Sequence, residues 1–140
     1  MAGGANPTTG RDAKMNDTTL LLRQIHPSFC QNGQVSSQAF RPTPKDEKQL
    51  SVYDGDVIAP HHAWAHFTRR SNCTSEGVMG ITVAECAALD LPAYPDPAPF
   101  PEHAVIDFSA CSTGQVEKKA KLLRAKATAR DWLYRATVNP

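Results

Sequence analysis

Prolines constrain this chain more than any other residue type. Those at 27, 42, 44, 60, 92, 95, 97, 99 and 101 cut it into short segments, because each lacks a backbone donor and fixes its own φ. "TTLLLRQI" (Thr18–Ile25) is aliphatic and stops at His26-Pro27, which reads as a strand ended by proline. "QVSSQAF" (Gln34–Phe40) follows the Asn32-Gly33 turn signal and reads as a second strand, with Val35, Ser37 and Ala39 on one face. Pro42 and Pro44 stiffen the next loop. "QLSVY" (Gln49–Tyr53) resumes a strand, and the turn Asp54-Gly55-Asp56 ends it.

"APHHAWAHFTRR" reads as a helix of about three turns, with Pro60 suited to its first position and Ala63, Trp64 and Phe67 as its apolar stripe. Arg69 and Arg70 sit near its C-terminus, where cations suit the helix dipole. "GVMGITVAE" (Gly77–Glu85) alternates as a buried strand does. Five prolines from Pro92 to Pro101 predict an extended connection without regular pairing. "HAVIDF" (His103–Phe108) is a further strand. The last element is a helix over Gly114–Tyr134, where Val116, Ala120, Leu123 and Ala127 recur at helical spacing and Leu122, Trp132 and Leu133 widen the apolar side. The pattern predicts an α+β fold: a small mixed β-sheet packed by two helices, the longer one C-terminal. Residues 1–16 are small and polar and read as a disordered tail or upstream prefix, leaving 17–140 as a single globular domain.

A net charge of +1 gives no global electrostatic case for nucleic acid or an anionic membrane. No apolar run approaches the roughly 20 residues that span a bilayer. The first residues lack the charged-then-apolar order of a secretory signal, so a cytoplasmic location is expected. Cys30, Cys73, Cys86 and Cys111 form no Cys-x-x-Cys pair and read as buried thiols rather than zinc ligands. His62 and His66, four apart, share a helix face, but the acid that accompanies such ligands in a metalloprotease is missing, and no metal is expected. Cys30, four residues beyond His26, is the best-placed nucleophile, though nothing in the sequence marks a neighbour that would lower its pKa.

The densest polar set is Arg23 and His26 at the end of the first strand, Ser36 and Ser37 on the second, and Tyr53, Asp54 and Asp56 after the third. If these strands are neighbours, the set meets at one sheet edge. It would then clamp a phosphate or carboxylate through Arg23 and move protons through His26, with Gly33 and Gly55 allowing close approach. The competing reading is that the Ser, Asn and Asp residues satisfy tight local backbone. A second candidate is the terminal helix. Lys118, Lys119, Lys121, Arg124, Lys126 and Arg130 stand against Glu117 and Asp131, a basic surface able to grip phosphates or an acidic partner, or simply a solvated face.

The run "LLRQIHPSFCQNGQVSSQAFRPTPKDEKQLSVYDGD", with "FPEHAVIDF" and the lysine-rich helix, resembles a family of small uncharacterised bacterial proteins over about Thr18 to Tyr134. The resemblance implies a bacterial origin and brings no activity. More distantly, Arg-x-x-His on a first strand, then a glycine, then a strand with Ser-Ser and an aromatic residue is similar to ADP-ribosyltransferase-like folds. That similarity implies NAD as cofactor, held by Arg23 or His26 and Ser36 or Ser37. The family's Glu-centred motif is missing, and Glu85 is its only stand-in. The expected function is a non-catalytic binding module that acts through a partner protein, in an accessory, immunity or regulatory role within a multi-gene system. The alternatives are an NAD- or nucleotide-handling enzyme, and nucleic-acid binding through Lys118, Lys121 and Arg124.

Overall fold

The computed structural model describes residues 15–43, 47–70 and 72–136. In chain order the elements are β1 (Leu20–Ile25), β2 (Cys30–Gln31), β3 (Gln34–Val35), β4 (Gln49–Asp54), α1 (Pro60–Thr68), β5 (Gly77–Thr82), α2 (Val83–Ala87), β6 (Ala93–Pro95), β7 (His103–Asp107), α3 (Thr113–Arg130) and β8 (Tyr134–Arg135). Six of the strands form one sheet in the order β6-β7-β4-β1-β5-β8, and β2 and β3 form a small separate hairpin. The class is α+β, as the sequence predicts. Among the described residues every pairing is antiparallel, however, so the sheet is not mixed, and there are three helices rather than two.

Strand alternation explains the layering. From β1, Leu21 and Ile25 face one side of the sheet, where they join Leu50, Val52, Ile81 and Ile106 with Ala120, Leu123 and Ala127 of α3. Leu22 faces the other side with Tyr53 and Val78, against Ala63, Trp64 and Phe67 of α1. Because β5 is covered on both sides, Gly77 to Ile81 are all buried. Each fully buried Leu, Ile or Phe in these layers contributes about 1.5–3 kcal/mol. On β5, a Cβ on Gly77 would collide with the Tyr134 carbonyl, and one on Gly80 would lie 2.5 Å from Leu133 Cδ1. These two glycines let the chain after α3 lie flat against the sheet as β8.

Four expectations from the sequence change here. Only Gln34 and Val35 of the second strand pair, and Ser37–Phe40 turns into a 3₁₀ helix whose N-cap Ser36 accepts the Gln38 N–H. The strand expected over Gly77–Glu85 stops at Thr82, because Thr82 and Glu85 form a reciprocal capping box that starts α2. Ala93–Pro95, expected to be unpaired, lies along β7 as an outer strand, a position where proline is tolerated. Finally, α3 ends at Arg130, since Asp131 takes φ 74°. Trp132 and Leu133 therefore lie beyond the helix, and Leu122 is exposed.

Of the prefix, residues 1–14 fall outside the described residues, as do Pro44 and Asp46. Met15 packs against the core. No helix among the described residues is long and apolar enough to cross a membrane.

Candidate functional site

β1 and β4 lie side by side but pair only at Leu21–Asp54 and Leu22–Tyr53. Beyond those pairs the strands part, and Arg23 bridges them. Its Nε donates to the Ala39 carbonyl at 2.7 Å and its Nη1 to the Ser51 carbonyl at 2.9 Å. A cleft of about 390 Å³ opens over this parting, closed on its other sides by Phe67 and Arg70 at the end of α1 and by the Pro99–His103 segment. Leu22, Phe29, Val52, Tyr53, Phe67 and Phe100 give it apolar walls. Arg23, Gln24, His26, Ser51, Arg70, Thr74 and His103 supply its polar groups, and among the described residues no Asp or Glu lines it.

Each polar group is held in a definite way. Gln24 donates its Nε2 to the Ala63 carbonyl at 3.0 Å, while its Oε1 is buried without a partner. A buried acceptor left unpaired costs about 1–3 kcal/mol, and this one is closed to the cleft's open space. His26 caps the 3₁₀ turn Pro27–Phe29, with Nδ1 accepting the Ser28 N–H at 3.0 Å, so the neutral ring carries its proton on Nε2. His103 turns Nδ1 to Asp96, 2.9 Å from its main-chain carbonyl and 3.2 Å from its carboxylate Oδ2, and meets Phe100 edge-on. Tyr53 bonds His66 Nδ1 at 2.8 Å. Burial pushes its phenol up to about 12, with the nearby Arg70 charge opposing, so it remains neutral in ordinary buffers. Arg70 sits 6.0 Å above the Phe100 ring and makes no ion pair among the described residues.

The structure thus gathers Arg23, His26 and Tyr53 into one cleft. It does not bring Ser36 and Ser37 there. They line a separate polar groove of about 450 Å³ with Gln31, Asn32, Lys121 and Arg124. Asp54 Oδ1 accepts the Asp56 N–H within the turn, which is the local-backbone reading of that carboxylate, whereas Asp56 Oδ2 reaches across the chain and accepts the Thr19 hydroxyl.

The remaining candidates are accounted for by packing. His66 is taken up by Tyr53 and by Phe100, 4.6 Å away, and His62 stacks on His61 at 4.0 Å. No group of three metal-ligating side chains occurs among the described residues. Cys86 and Cys111 are buried and Cys30 and Cys73 half-buried. Burial, then Glu76, raise the Cys30 pKa, opposite to what a nucleophilic thiol needs. Glu85 is paired with Arg130 through both carboxylate oxygens. On α3, Arg124 donates to the Val35 carbonyl and Lys119 reaches Cys111 Sγ, while Lys118, Lys121 and Lys126 are exposed.

Sequence reasoning missed Gln24, Arg70, Phe100 and His103. One signal was present: Arg23 and Gln24 are adjacent polar residues inside an aliphatic strand, so one of them must face each side of the sheet. Comparison with protein-family models, with curated proteins and with solved structures finds no match.

Proposed function

We propose that this protein is a small binding module that acts without catalysis by docking a partner protein, and that the cleft between β1 and β4 receives part of that partner. The observation that carries the reading is the lining: two guanidiniums and two imidazoles among aromatic walls, with no carboxylate among the described lining residues. Arginine and aromatic side chains are the residues that anchor protein interfaces, and a cationic cleft favours an anionic group set beside an apolar one. Among the described residues no carboxylate lines the cleft for acid–base work, and its phenol is held neutral. An accessory, immunity or regulatory role in a multi-gene system fits a module of this size.

The two other readings draw less support. An NAD enzyme of the ADP-ribosyltransferase kind needs Arg23 or His26 and Ser36 or Ser37 on one ligand, whereas these pairs line different cavities. Nucleic-acid binding through α3 loses Arg124 and Arg130 to internal bonds.

The test uses two random peptide libraries, one with free C-termini and one with both ends blocked, screened against the purified protein. At least one should enrich sequences with an anionic group beside an aromatic or aliphatic side chain. Arg70→Glu should weaken the selected peptides about tenfold or more, the scale of losing an anchoring arginine. Enrichment of neither library, or enrichment indifferent to Arg70→Glu together with a thermal shift caused by NAD, would remove the docking reading.

A further inference from the structure

We propose that the groove between the β2–β3 hairpin and α3 binds a phosphorylated polyol of the sugar-phosphate kind, with Lys121 and Arg124 holding its phosphomonoester. The site lies apart from the cleft over β1 and β4, and the proposal does not depend on the docking reading.

The groove exists because the hairpin is tied to the long helix. Asn32 and Gly33, at φ 53° and 77°, turn β2 back onto β3. At the end of the hairpin, the Val35 carbonyl accepts the Arg124 Nε–H. Ser36 and Ser37 then start the 3₁₀ turn that packs on α3. The space between these parts is about 450 Å³, within the range of small-molecule sites.

Its lining supplies donors for an anion and nothing that competes with one. Arg124 is anchored through Nε alone, so its guanidinium is held in place while neither Nη makes a hydrogen bond or ion pair among the described residues. Lys121, three residues earlier and so on the same face, is exposed and makes no ion pair among them either. Ser36 Oγ accepts the Gln38 N–H, which leaves its own proton to donate elsewhere, and Ser37 adds a second hydroxyl. Among the described residues no Asp or Glu lines the groove, and Glu117, one turn before Lys121, is turned to Arg41 at 3.7 Å.

Two cations match a phosphomonoester, which carries about −1.5 to −2 at pH 7, better than the single charge of a carboxylate or a phosphodiester. The rest of the lining selects what bears the phosphate. The Gln31, Asn32 and Gln34 amides each donate and accept, as hydroxyl groups do. Among the described residues no aromatic side chain lines the groove, and Val35, its apolar member, is 6% exposed. A nucleobase therefore has nothing to stack on, and a peptide's apolar side chain finds no anchor. Nor do one fixed arginine and one lysine make the row of cations that follows a nucleic-acid strand.

The experiment titrates ¹⁵N-labelled protein with glycerol 3-phosphate, ribose 5-phosphate and glucose 6-phosphate. Beside them it runs glucose, inorganic phosphate, dimethyl phosphate, a phosphoserine peptide and a short single-stranded oligonucleotide. It follows the side-chain amides of Gln31, Asn32 and Gln34. At least one of the sugar or glycerol phosphates should shift these amides to saturation and bind at least about tenfold more tightly than inorganic or dimethyl phosphate. Glucose should leave them unmoved. Lys121→Ala, a change at an exposed position, should keep the melting temperature and weaken that binding about tenfold or more, the scale of one charge-assisted bond. Lys126→Ala, on the same helix but outside the groove, should leave it unchanged.

If none of the esters binds more tightly than inorganic phosphate, the proposal falls. It falls too if the oligonucleotide or the phosphopeptide shifts these amides at lower concentration than every ester. Equal weakening by Lys126→Ala and Lys121→Ala would overturn it as well, since that is how a diffuse basic face behaves.

Discussion

The Arg23 guanidinium bonds carbonyls on two different elements, Ala39 in the 3₁₀ turn and Ser51 in β4. Methionine there would keep much of the stem and remove both donors. Arg23→Met should cost about 1–3 kcal/mol in urea unfolding, since a partly buried carbonyl loses a charge-assisted bond while the more exposed one recovers water. Arg23→Lys should recover only part of that, because an ammonium cannot present the guanidinium's planar fork to both carbonyls. A loss below about 0.5 kcal/mol for Arg23→Met, within the noise of surface substitutions, would show that the bridge is idle. At this scale the sequence was half legible. Arg23 and Gln24 were visible as polar residues in an aliphatic run. Their division of labour was not, because it depends on where β4 diverges, which a single strand's sequence does not encode.

Between elements, the tightest staple joins α2, α3 and β5. Arg130 donates to both Glu85 oxygens and to the Gly80 carbonyl. Burial pushes the Glu85 carboxyl up, but the Arg130 guanidinium and the Thr82 N–H outweigh it and hold the group below its ordinary 4.5. A depressed folded pKa contributes stability above the unfolded value that is lost as pH falls through the folded one. Wild type should therefore lose stability faster than Glu85→Gln below about pH 4.5, with the two curves converging in acid. At pH 7 the gap should be about 1 kcal/mol or less, as both partners are partly exposed. Parallel curves across pH 3 to 7 would rule the staple out. Comparing variant with wild type also cancels the opposing slope of Asp54, whose pKa burial raises.

α3 itself was legible because its apolar spacing repeats over four turns. α2 was not. The alternation of "GVMGITVAE" runs on into it, and only the Thr82–Glu85 pair, a capping box three residues apart, marked the switch from strand to helix. β6 was hidden by its prolines, which argue against strand everywhere except at a sheet margin.

For the molecule as a whole, the sheet has cores on both sides, and each holds one tryptophan at its border: Trp132 with the α3 side and Trp64 with the α1 side. Because β1 and β5 contribute residues to both cores, the two should melt together. In Trp64→Phe and Trp132→Phe variants, the remaining fluorophore reports one side at a time. Each variant's fluorescence transition should coincide with its own circular dichroism transition; a separated pair would mean that one side unfolds alone. The α+β class was readable from strands interleaved with helices. The cleft was not, since it is built from four chain segments whose meeting depends on register.

The margins of the sheet carry a last consequence. On one side β6 is three residues long and ends in Pro95, and on the other β8 pairs through two. So little free backbone is offered that another chain has almost nothing to zip onto. At these two margins of the six-stranded sheet, the described residues give fibre growth by strand stacking little template.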